Sequence, residues 1–153
     1  MPKVDLDRVE TLSGTGYPPP FDQAVAGRFQ QRVGRATGLT HFGASLVRLE
    51  PGAWSSQRHW HEGEDELLVM MEGQAVLIED QGREIVRPGD IVSWPAGSRN
   101  GHHLVNDSDA PCRFLVIGAG EQRGGGYSDI DLIFTPEGTY QHRDGRPYPS
   151  RGG

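Results

Sequence analysis

Two histidines one residue apart, His59-Trp60-His61, precede Glu66 by four intervening residues. On an extended strand, side chains at i and i+2 leave the same face, about 6.6 Å apart along the chain. Two imidazoles so placed can close on one ion through bonds of about 2.0–2.1 Å. Glu66 opens the next apolar run after the connector Glu62-Gly63-Glu64-Asp65. An antiparallel neighbour would bring its carboxylate within reach of both rings. Standing alone, such a pair is more often a set of ordinary strand residues facing water, so the spacing by itself does not make a site.

The elements that must position these residues read as short strands. Gly43–Leu49 (GASLVRL) alternates apolar and polar side chains and stops at the turn signal Pro51-Gly52. Residues 57–61 form a short polar strand candidate, and residues 66–71 (ELLVMM) a nearly continuous apolar one closed by Gly73. Residues 74–79 and 83–86 flank the hairpin signal Asp80-Gln81-Gly82. Residues 91–94, 102–105 and 113–117 complete the set. Strands of this length between Gly/Pro turns predict an all-β protein, a closed barrel or double-sheet jelly roll. No window of 11 or more residues keeps a helical period. Gly14, Gly16 and Pro18-Pro19-Pro20 predict an irregular N-terminal arm over residues 1–26, leaving the barrel to 27–119. Residues 120–153, with Gly124-Gly125-Gly126 and then YSDIDLIF, are expected to add one edge strand, with the last dozen or so residues loosely held.

The order of these residues resembles the cupin superfamily. Gly52, six residues, His59-Trp60-His61, four residues, Glu66, six residues and Gly73 are similar to its first motif. Gly89, five residues, Pro95-Ala96-Gly97, then His102, three residues and Asn106 are similar to the second. The resemblance implies a double-stranded β-helix, or jelly-roll barrel, holding one divalent metal ion through His59, His61, Glu66 and His102. It departs from the family in one place: Ser98-Arg99-Asn100-Gly101 precede His102 where two residues are usual, which reads as a two-residue insertion in the turn. His103 is the rival to His102 but falls on the opposite strand face. The six-residue gap to Gly73 selects Glu66 over Glu64 and Asp65, which are expected to face water. Three nitrogens and a carboxylate suit Fe, Mn, Ni, Co or Zn.

The chain looks most like bacterial single-domain cupins described as sugar-phosphate-isomerase-like. That likeness implies a metal-dependent, isomerase-like enzyme acting on a small oxygenated metabolite, with a carboxylate near the mouth moving a proton. The alternatives are a non-catalytic binding or sensor cupin and an iron-dependent dioxygenase. No catalytic or substrate-binding residue is assigned. Arg58 and Arg99 are the only cations near the motifs, with no Lys/Arg cluster for a phosphate, and Gln57 and Arg58 could reach the barrel mouth. Trp60 and Trp94 read as packing residues.

A net charge of −6 without a basic run argues against nucleic acid as a partner. No segment reaches the ~20 apolar residues of a membrane span, and MPKVDLDRVE lacks a signal peptide's apolar core. The single Cys112 fits a reducing compartment, so a cytoplasmic location is expected. Open sheet edges predict a homodimer.

Overall fold

The computed structural model describes residues 2–149. Thirteen strands run in chain order: β1 Thr11–Ser13, β2 Arg28–Gln31, β3 Gly43–Leu49, β4 His59–His61, β5 Glu64–Glu72, β6 Ala75–Glu79, β7 Gly82–Val86, β8 Ile91–Trp94, β9 His103–Val105, β10 Cys112–Gly120, β11 Gly125–Tyr127, β12 Ile133–Phe134 and β13 Tyr140–Gln141. The helical content among these residues is one short helix, Val33–Ala36, and two single 3₁₀ turns.

The strands are antiparallel throughout. One layer has the order β1-β2-β3-β10-β5-β8. The sheets β13-β12-β11-β4 and β7-β6-β9 form the other layer. They join where the backbones of His59 and His102 exchange hydrogen bonds of 3.2 and 3.0 Å. Two curved antiparallel layers around one core make a jelly-roll barrel.

Alternation decides which side chains fill it. On β5, Leu68 and Met70 are 2% and 0% exposed, whereas Leu67 and Met71 on the other face are 36% and 47% exposed. Leu49, Leu104 and Phe114 from neighbouring strands complete the core cluster. Each such side chain contributes roughly 1.5–3 kcal/mol by leaving water. The same inward row on β5 continues to Glu66, flanked by Trp94 of β8 and Gly118 of β10.

The chain ends are more ordered than their composition suggests. The N-terminal stretch contributes β1 as an edge strand paired to β2. The C-terminal stretch supplies three short strands where one was expected, and β11 pairs directly with β4, the His59–His61 strand. Its three glycines make this approach possible. A Cβ on Gly125 would sit 2.0 Å from the Trp60 carbonyl oxygen, and one on Gly126 would sit 2.6 Å from the Trp60 ring. A second apolar cluster of Tyr17, Val25, Tyr127 and Leu132 ties both ends together. The final described residues are likewise anchored: Tyr148 stacks on His142 at 3.9 Å, and Arg143 donates to the Tyr127 carbonyl. The expectation of a loose tail therefore does not hold for residues 141–149; Ser150 to Gly153 lie outside the described residues.

Candidate metal centre

The two-residue repeat of β4 puts His59 and His61 on one face, and their Nε2 atoms lie 3.2 Å apart. The Glu66 carboxylate on β5 spans the gap. Its Oε2 is 3.3 Å from His61 Nε2 and its Oε1 is 3.3 Å from His102 Nε2. His59, His61 and Glu66 each offer a donor atom within 4.8 Å of the others, so the group could hold a metal ion. His102 lies outside that three-residue set and meets it through Glu66. Ligands in adjacent positions around an ion at about 2.1 Å are roughly 3.0–3.4 Å apart, the spacing of these contacts.

The other ring nitrogen of each histidine is engaged from behind. His59 Nδ1 lies 2.9 Å from the Gln57 carbonyl oxygen and 3.1 Å from Ser56 Oγ. His102 Nδ1 lies 3.0 Å from the Asn100 carbonyl oxygen. His61 Nδ1 faces Glu64 Oε2 at 3.1 Å, at an angle that falls short of a hydrogen bond, and has no other partner. A carbonyl oxygen accepts only from N–H, so the proton of a neutral His59 or His102 sits on Nδ1 and the lone pair on Nε2. Those lone pairs point toward an ionised carboxylate. Such convergence of acceptors is favourable only around a cation, whether a proton or a metal ion.

The electrostatics agree. Burial is the largest influence on His59 and, with repulsion from His61 and His102, lowers its pKa to about 4. Burial pulls the same way on His61, but Glu66 and Glu64 outweigh it and raise its pKa. For Glu66, burial alone would favour the neutral acid, yet the contacts from His102 and His61 hold the carboxyl well below its ordinary range.

Comparison with known proteins places this geometry. The cupin domain signature matches residues 45–118. A crystal structure of a sugar phosphate isomerase of the cupin superfamily from Silicibacter pomeroyi is 44% identical, with 97% of each chain covered and a TM-score of 0.90. The chain belongs to the cupin superfamily. A candidate sugar phosphate isomerase from Acidithiobacillus ferrooxidans is 25% identical over 85% of this cupin and 83% of its own chain, with a TM-score of 0.70. A polyketide cyclase from Streptomyces resistomycificus is 24% identical over 85% and 87%, with a TM-score of 0.69, and shares the fold. No curated protein matches the chain.

Several residues of this cupin behave differently from their sequence reading. Glu64 is not a solvated connector residue: β5 starts two residues earlier than expected, so Glu64 shares the inward face of Glu66 and contacts His61. The insertion before His102 is an anchor. Asn100 Nδ2 donates to Glu79 at 2.7 Å and its side-chain oxygen accepts from Asp80 N, fixing the carbonyl that faces His102. The His103 ring lies edge-on to Trp54, with Nδ1 on the Ser56 carbonyl, and lines the cavity beside the site without joining the group around Glu66. Trp94 packs in the core as expected and also stacks flat on His102 at 3.6 Å. Tyr127 and Phe134 from the C-terminal strands press against the His59 and His61 rings, a role hidden in a glycine-rich tail.

The cations near the motifs are committed elsewhere. Arg58 binds Asp80, Asp129 and the Gly101 carbonyl. Arg99 lies over Trp60 and pairs with Glu62. Gln57 is 8% exposed and donates to the Phe21 carbonyl, so it does not reach the mouth. Beside the histidines lies a cavity of about 170 Å³, walled by Glu66, His59, His102, Leu68 and Phe114, and, unexpectedly, by Arg28. No helix of the described residues is long and apolar enough to cross a membrane.

Proposed function

We propose that this cupin is a metal-dependent, isomerase-like enzyme, with one divalent ion of the Fe, Mn, Ni, Co or Zn type held by His59, His61, Glu66 and His102. The single observation that carries this reading is the convergence of imidazole Nε2 atoms on a partly buried carboxylate. A divalent ion bound there would supply a Lewis acid for a carbonyl or hydroxyl oxygen of a small metabolite. The cavity, about 170 Å³, is smaller than the ~300–1,000 Å³ typical of pockets for drug-sized ligands, which supports a compact substrate.

The chain's own residues would shape the reaction in three ways. His59 and His102, with Nδ1 held from behind by backbone carbonyls, keep their rings aimed without rearrangement, and Glu64 faces His61 Nδ1. Leu68, Leu104 and Phe114 give the wall an apolar share, which strengthens electrostatic interactions beside it. Glu66 is the one carboxylate on that wall among the described residues, with His103, Ser55 and Ser56 as further groups there that could exchange a proton.

The test is elemental analysis of the full chain, wild type and His61→Ala. Close to one divalent ion per wild-type chain, and a marked loss in the variant, are expected. Equal metal content in both refutes the ligand assignment. Oxygen uptake by the iron-loaded protein would move the reading to a dioxygenase.

A further inference from the structure

We propose that the cavity takes a small carboxylate-bearing ligand, a hydroxy or oxo acid, whose carboxylate pairs with the Arg28 guanidinium. This names a substrate class for the site above and rests on that reading for the ligand's metal-facing end.

The argument begins with register. On β2, Arg28 pairs with Leu49, which is fully buried, and cross-strand partners share a sheet face. Arg28 therefore points inward, and it lines the cavity that holds Glu66, His59 and His102. Its one hydrogen bond among the described residues runs from Nη2 to the neutral Gln30 Oε1 at 3.0 Å. It makes no ion pair there. Arg48, Arg58, Arg99, Arg113, Arg123 and Arg146 each have a carboxylate partner. A guanidinium partly withdrawn from water without a counter-charge is costly, and here burial lowers the Arg28 pKa, with Tyr17 acting against it and Arg32 with it.

Guanidinium carries five N–H donors in a planar fork that matches a carboxylate in a two-point contact. Gln30 uses one donor and steadies the fork. The charge of the ion acts at the metal-facing end of the ligand. At the other end Arg28 is the one Lys or Arg side chain that lines the cavity among the described residues, which matches the single charge of a carboxylate, whereas a phosphate ester carries about −1.5 to −2 at neutral pH.

The experiment titrates malonate, pyruvate and inorganic phosphate into the full chain, metal-free and zinc-loaded, by calorimetry. Malonate or pyruvate should bind more tightly than phosphate. Arg28→Gln should weaken that binding about 10- to 100-fold, with Arg28→Lys in between, as loss of a charged two-point contact requires. Zinc content should be unchanged in both variants. Unchanged carboxylate affinity in Arg28→Gln, tighter binding of phosphate, or no carboxylate binding by either form overturns the proposal. If Arg28→Gln does not fold, Arg28→Lys decides, because an affinity equal to wild type would deny the fork a role. Failure of the metal reading looks different: the wild-type chain takes up no zinc, while Arg28-dependent binding persists in the metal-free protein.

Discussion

Replacing Glu64 by Gln tests whether the second layer of the site tunes the histidines. Glu64 Oε2 lies 3.1 Å from His61 Nδ1, and its Oε1 accepts a 2.8 Å hydrogen bond from Gln122 Nε2. Two full charges at that separation interact by about 5 kcal/mol at an effective dielectric constant near 20. The imidazole of a metal-bound histidine carries only part of a charge, and the Glu64 side chain is 21% exposed, so a quarter to a half of that figure survives. The remaining roughly 1.4–2.7 kcal/mol corresponds to a 10- to 100-fold weaker metal affinity, the usual effect of losing such a partner. Glutamine keeps the size of the side chain but removes the negative charge that faces His61. Competition against a chromophoric chelator with zinc or manganese would measure the change. Glu62→Gln, whose side chain is 40% exposed and faces Arg99, is the control and should shift affinity by less than about twofold. Equal affinity of Glu64→Gln and wild type would refute the claim that Glu64 supports His61.

Three further outcomes follow from the geometry. Metal binding at neutral pH should release protons. The raised pKa of His61 means its proton must leave on binding, so affinity falls as pH drops through the His61 titration above the ordinary imidazole range, while His59 stays neutral down to about pH 4. Calorimetry in two buffers of different ionisation enthalpy would show a buffer-dependent heat, and identical heats would contradict the His61 assignment. Gly125→Ala should destabilise the fold by about 1–3 kcal/mol, because its Cβ would lie 2.0 Å from the Trp60 carbonyl oxygen and 2.5 Å from the Phe134 ring. A melting temperature lowered by roughly 3–10 °C is expected, and an unchanged one would show that β11 does not hold β4 as described. Cys112 is 0% exposed, and burial pushes its thiol up to about 11, so an aromatic disulfide reagent should label it only on unfolding.

Some of this was written in the chain itself. Strand alternation and Gly/Pro punctuation are local, and they predicted the barrel strands closely. Residues 91–94 were read with the observed bounds, and β5 was missed by two residues at its start. The parity of β5 placed Glu66, Leu68 and Met70 on one face, as found. The His59/His61 pair was likewise legible, because a period of two is a property of any strand.

What surrounds those residues was decided only by folding. Glu64 looked like connector because nothing nearby in sequence marks where β5 begins. Asn100 looked like an insertion because its partners, Glu79 and Asp80, lie some 20 residues away and meet it across a turn. Trp94 reaches His102 between layers, and the glycine-rich segment near residue 125 reaches β4 from far along the chain. Arg28 gave no sequence signal at all. Its importance comes from facing the cavity without an ion pair among the described residues, and a missing partner is a property of three-dimensional space. Local periodicity therefore named the residues that converge on the centre. The tertiary structure chose the groups that aim them and the one cation that shares their cavity, because those contacts depend on register between strands remote in sequence.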